Sequence, residues 1–352
     1  MSLNAVSSAT LSSILQNTVS RIQSQLTTSE IENSTGKLAD IGLTLGADSG
    51  QDIALHQQMA DLTAISNSNA VVTAQLGGAA NALTSLQSTA STMLSAFVDG
   101  ASGTANSIGA AGLQQQASGA LQTFASLMNS DVGGVYVFGG INSGVAPIAA
   151  YSQTPPSMAQ NAVETAFQNY FGFAISSSNV NSITGTQMQT FLTNQFAALF
   201  SGSNWTSDWS SASDTAATNR IGANQTVTTS VSGNDPAFQN MAEALTMVSA
   251  FGGLNLSSDA YSTLMSTAQS VMNSANNGLI SASTAVGTME NQVTEANSAI
   301  NLQQNVLTTQ INAAETVNAY DVATQVSNLS TQLQTAYSLT SQIHKLSLVN
   351  FL

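Results

Sequence analysis

From Leu62 onward the chain places apolar or small residues at alternating intervals of three and four: Ile65, Asn69, Val72, Leu76, Ala79, Leu83, Leu86, Ala90, Met93 and Phe97. A seven-residue repeat held over that length predicts one long helix with a narrow apolar seam. Alanines on the seam let a partner helix come close. Asn69 is the polar exception, suited to fixing register. After the glycine-rich break DGASGTANSIGAAG the pattern resumes at Leu113, Ala117, Ala120, Phe124 and Leu127. This predicts a shorter helix that folds back on the first.

The C-terminal third repeats the pattern. One run holds Val286, Met289, Val293, Ala296, Ile300 and Leu307; the next holds Val322, Val326, Leu329, Leu333, Ala336 and Ile343, with Thr340 between the last two. No proline falls between about 279 and 346, so one helix or two nearly continuous helices of roughly sixty residues are expected. The N-terminus carries a shorter version at Leu15, Val19, Ile22 and Leu26. Both ends are thus amphipathic helices, each presenting a stripe to another helix. Two pairings are open: with each other in one chain, or with copies from other subunits.

The region from 145 to 235 differs. It holds Pro147, Pro155, Pro156, Trp205, Trp209 and much of the Phe and Tyr. Short helices are expected at SMAQNAVETAFQNYFGF and TQMQTFLTNQFAALF, and a β segment at NRIGANQTVTTSVSG. Helix resumes at DPAFQNMAEALTMVSAF, where Asp235 can cap and Pro236 takes the first helical position. Just before this region stands GGVYVFGG (133–140). Its glycines break the helical register, and Val135 to Phe138 read as a short buried strand with alternate side chains facing two ways. The fold class is therefore mainly α: a long antiparallel helical rod or coiled-coil bundle formed by both termini, a short β-hairpin segment, and a small mixed α+β central insertion.

Composition narrows the function. Net charge is -14, and the basic residues are Arg21, Lys37, Arg220 and Lys345. So few cations argue against nucleic acid and against a polybasic membrane surface. Charged residues make up 6% of the chain, against about a quarter in an ordinary domain. Such a surface has little repulsion to keep copies apart and suits close-packed subunits. Cysteine is absent, which removes disulfides and thiolate metal sites. The opening MSLNAVSSATLSSILQNTVSR lacks a basic n-region and a long apolar core, so it does not read as a Sec signal. No stretch of about 18 apolar residues predicts a membrane span.

An enzyme reading finds no foothold in the residues. His56 and His344 stand far apart in sequence, and each reads as a solvated or interface side chain. No carboxylate cluster at ligand spacing joins them, so no metal, cofactor or catalytic residue is expected. Asp48 and Asp52 in GADSGQD read as helix capping in preference to calcium binding. Nucleotide-binding and zinc-protease motifs are missing. Trp205 and Trp209 raise a glycan-binding reading, although core packing is the preferred use of such residues.

Three segments carry a resemblance. STGKLADIGLTLG (34–46) resembles an N-terminal segment of the bacterial flagellin superfamily, GGVYVFGG (133–140) a segment of its hook-associated type-three, or hook-filament junction, branch, and ETVNAYDVATQVSNLSTQLQTAYSLTSQIHKLSLVNFL (315–352) that branch's terminal helix. The ending LSLVNFL is closer to the junction type than to filament flagellin, which is the alternative. The resemblance covers roughly 1–145 and 236–352. It departs at Leu38, where the family often has Arg.

The resemblance implies a structural subunit exported unfolded through the flagellar type III channel to the extracellular flagellum, with an export chaperone. It also implies a homo-oligomeric helical or ring assembly that joins other axial proteins, a hook-associated protein and flagellin. Residues 1–40 and 311–352 would form the inner assembly domain, 41–144 and 236–310 a helical bundle, and 145–235 an outward projection. The expected assembly interface is Leu15, Val19, Ile22 and Leu26 with Val326, Leu329, Leu333 and Ile343.

Overall fold

The computed structural model describes the backbone of residues 8–105 and 107–349, and side chains within 10–105 and 107–342. The chain is mainly α, with a few short antiparallel strands. It divides into two compact units, 1–63 with 301–352, and 64–300.

In the first unit α1 (Ser8–Thr35) packs antiparallel on α10 (Ala319–Val349). The direction follows from two contacts. Lys37 bridges Thr316, while Gln23 Nε2 donates to the Tyr337 hydroxyl at 2.7 Å, so one helix climbs as the other descends. α1 stops at Gly36, whose N–H reaches the Glu32 carbonyl at 2.8 Å. A glycine just past the last turn is the common helix stop. The chain then runs against the link between α9 (Ser258–Glu315) and α10. Leu38 N–H donates to the Glu315 carbonyl at 2.8 Å, and Val317 N–H to the Gly36 carbonyl at 3.1 Å. Asp40 caps the short α2 (Ile41–Leu45) by accepting from Leu43 N–H. The long C-terminal helical stretch is therefore two helices, and the first begins earlier than the heptads suggest. Asn318 accounts for the restart: its side chain accepts from Tyr320 N–H at 3.1 Å in the first turn of α10.

The second unit joins the later part of α3 (Ser49–Ala101), α4 (Ile108–Met128), α8 (Pro236–Phe251) and the earlier part of α9 around one core. Every predicted seam residue of α3 from Val72 to Phe97 is buried, as are Leu113, Ala117, Ala120 and Phe124 of α4. Asn69 is buried as well. Its amide donates to Asn297 Oδ1 on α9 at 2.8 Å and to the Ile221 carbonyl at 2.9 Å. A buried amide that must meet both partners admits one sliding position, which is how a polar seam residue sets register. α8 starts as expected, with Asp235 as N-cap and Pro236 first. Each residue from Met241 to Val248 is buried, the mark of a helix enclosed on most sides.

The glycine-flanked segment departs from expectation. β1 (Asp131–Val132) pairs with β2 (Val135–Tyr136) across Gly133 and Gly134, with φ of 66° and 82°. A two-residue loop with both φ positive is the type I′ turn, which nearly demands glycine. The ladder ends at Tyr136. Val137 and Phe138 are both buried instead of alternating, and the Phe138 ring meets Phe238 of α8 edge-on at 5.2 Å. The cause is the turn that follows at once. Gly139 accepts from Ser213 N–H at 3.0 Å, and Ile141 N–H donates to the Thr215 carbonyl at 3.0 Å, so the backbone bends before a longer strand can form.

Residues 145–235 contribute to the same core. They hold α5 (Met158–Phe171), α6 (Gly185–Thr190), α7 (Gly202–Asp208) and a hairpin of β3 (Thr218–Gly222) and β4 (Gln225–Thr228). The expected second helix is composite: α6 passes into a π turn at Phe191–Phe196 and then a 3-10 turn at Ala197–Phe200. The wider π turn brings Phe191 and Phe196, five residues apart, to the same side, with ring centroids 6.0 Å apart. Phe191 also meets Phe167 and Phe251 at 5.7 and 5.8 Å.

Candidate functional site

The residues expected at an assembly interface lie on the two terminal helices of the first unit. Ile22 of α1 and Leu329 of α10 are buried, and Leu15, Val19, Leu26, Val326 and Leu333 are half-buried. Ile343 lies outside the described side chains. Because α1 and α10 pack on each other, these seams meet within the chain. A second set of apolar side chains is left over. Leu11, Ile14 and Ile31 on α1, and Tyr320, Tyr337 and Leu339 on α10, are exposed, Tyr320 by 79%. These side chains are not covered by the α1–α10 pairing itself.

The motif STGK ends in a polar cluster. Lys37 Nζ lies 2.7 Å from Glu315 Oε2, and His56 Nε2 lies 2.7 Å from Glu315 Oε1. The Glu315 side chain is 4% exposed, while Lys37 and His56 are about half exposed, at 49% and 52%. Hydrogen bonds from Lys37 and then His56 hold the Glu315 carboxyl below the usual carboxylate range. Asp52, one turn before His56 on α3, sends Oδ2 to within 3.9 Å of His56 Nε2. Asp52 stands in the first turn of α3, the helix it was expected to cap.

Sequence spacing shows no carboxylate cluster joining His56 with His344, yet the fold brings two carboxylates to His56. Asp52, His56 and Glu315 each offer a ligand atom, all within 4.8 Å of one another. Asp52 to His56 is an i, i+4 pair that sequence spacing contains. Glu315 comes from the other end of the chain and gives no local signal; only the antiparallel contact between the Gly36–Leu38 segment and the α9–α10 link delivers it. His344 lies outside the described side chains.

The tryptophans are core residues. Trp205 and Trp209 are buried and stack at 5.7 Å, and Tyr151 stacks on Trp209 at 5.5 Å. Trp205 Nε1 donates to Asn234 Oδ1 at 3.0 Å, which spends its polar edge inside the protein. No aromatic face of this pair is left for a sugar. Among the described residues, no helix is long and apolar enough to cross a membrane.

Comparison with known proteins places the terminal helices in context. The family model of the bacterial flagellin N-terminal helical region matches residues 6–143, and that of the bacterial flagellin C-terminal helical region matches residues 269–352. A solved structure described as a flagellar hook-associated protein from Vibrio parahaemolyticus is similar over 76% of this chain and 97% of its own, with a TM-score of 0.51 and 9% identity. At that identity the likeness is one of fold. No curated protein matches the chain.

Proposed function

The chain belongs to the bacterial flagellin family and is a structural component of the flagellum, and we propose that it serves there as a hook-filament junction protein. The observation that carries an assembly role is the exposed apolar set on the paired terminal helices, Leu11, Ile14, Ile31, Tyr320, Tyr337 and Leu339. Copies stacked along a helical lattice would bury it by head-to-tail association, which repeats one contact without closing on itself. Two features favour the junction over the filament: the likeness of GGVYVFGG and of the LSLVNFL ending to junction-type proteins, and a fold shared with a protein described as hook-associated.

In this reading residues 1–40 and 311–352 form the inner assembly domain and 145–235 face outward. Leu15, Val19, Ile22, Leu26, Val326, Leu329, Leu333 and Ile343 hold the terminal helices in the shape that the lattice receives. The chain is exported to the cell exterior with the help of a chaperone, and its neighbours are a hook-associated protein on one side and flagellin on the other.

Labelled antibody against the protein on intact flagella tests the assignment. A single band at the base of the filament is expected. Label along the whole filament would establish filament flagellin in its place, as would purified protein that extends seeded filaments without limit.

A further inference from the structure

Asp52 poses a physical problem. Its side chain is 5% exposed, and its Oδ1 is sealed from solvent with no hydrogen-bond partner among the described residues. The imidazole of His56 lies 3.9 Å from the other oxygen. A carboxylate removed from water without donors is costly, and a cation is the direct remedy. Glu315, a second buried carboxylate, stands beside the same imidazole.

We propose that Asp52, His56 and Glu315 bind one divalent transition-metal ion of the zinc type. One imidazole nitrogen and two carboxylate oxygens form a donor set that such an ion accepts. The spacing suits it. Ligand atoms about 2.1 Å from a tetrahedral ion lie ~3.4 Å from each other. The present separations from His56 Nε2 bracket that value, at 2.7 Å to Glu315 Oε1 and 3.9 Å to Asp52 Oδ2.

The ion takes Glu315 Oε1 and leaves Oε2 on Lys37. Half-exposed His56 gives it a way in and leaves the fourth position to water. Its Nε2 coordinates as a free base, so a proton held there is released on binding. The ion then fastens the start of α3 to the end of α9 at the point where the STGK segment arrives. Lys37 opposes it, since its ammonium already neutralises part of the charge on Glu315.

The test uses the full chain, stripped with a chelator and titrated with zinc chloride by calorimetry, with Tm recorded alongside. One tight site per chain and a zinc-dependent rise in Tm are expected. His56→Gln, at a half-exposed position, should keep its circular dichroism yet lose both the tight site and the zinc-dependent Tm rise, measured against its own metal-free Tm. Asp52→Asn should lose them too. Lys37→Met should bind zinc about tenfold more tightly, because a competing charge has gone. His344→Gln should bind as the parent does. Unchanged affinity and stoichiometry in His56→Gln would overturn the site, as would a parent chain whose Tm does not respond to zinc.

Discussion

Glu243 sits in the most enclosed helix of the protein and is 8% exposed. Burial pushes its carboxyl up from the ordinary 4.5 to about 7. Between those two values the folded chain keeps a proton that the unfolded chain releases, so stability falls as pH rises through that window and levels off above it. The loss is on the order of 3 kcal/mol. Denaturant midpoints measured from pH 4.5 to 8 should show this slope, and Glu243→Gln should flatten it. Phe191 tests packing at the same scale: Phe191→Ala empties the centre of the aromatic group and should cost about 3–5 kcal/mol in a urea melt. The heptad already names most of the α3 seam, because a buried Leu or Ala announces itself by its spacing. The partners of single polar residues are hidden. Nothing near Asn69 in sequence points to Asn297, and nothing near His56 points to Glu315, since each pair forms only when distant segments meet.

Elements were legible where one periodicity runs without interruption. α3, α4 and α8 follow their apolar spacing, and the start of α8 follows from Asp235 and Pro236. Two elements escaped because competing local geometry cuts across the pattern. The π turn at Phe191–Phe196 serves a buried side that a regular helix would not present. The strand read at Val135–Phe138 is halved by the bend at Gly139 and Gly140. Gly140 has φ +62°, and a Cβ there would stand 2.6 Å from the Ser213 carbonyl oxygen and 2.7 Å from that of Thr215. Gly140→Ala should therefore lower stability by about 2–3 kcal/mol, combining left-handed strain with displaced backbone, and a thermal melt reads it directly. On the terminal helices, Ile22→Asp puts a carboxylate into a buried seam and should separate α1 from α10. Leu333→Asp at a half-buried position should do so less. Disulfide trapping between α1 and α10 orders the two.

For the molecule as a whole, family membership was readable from its two ends because that is where the heptads and short motifs lie, and the flagellin models match the same ends. The place of residues 145–235 was not readable. Their aromatic residues show no period, and their burial depends on α8, which follows them in the chain. Deleting 1–30 or 320–352 should abolish incorporation into flagella while the 64–300 unit keeps its fold, since its core is its own. Motility and near-UV circular dichroism of each truncation check the two halves of that statement.

The backbone link from Gly36–Leu38 to Glu315–Val317 has one more consequence. It ties the pair together where α1 ends and α10 begins. Separation is therefore expected to start away from that link. Amide hydrogen exchange should slow steadily along α10 from residue 342 towards residue 322, and along α1 from residue 10 towards residue 35.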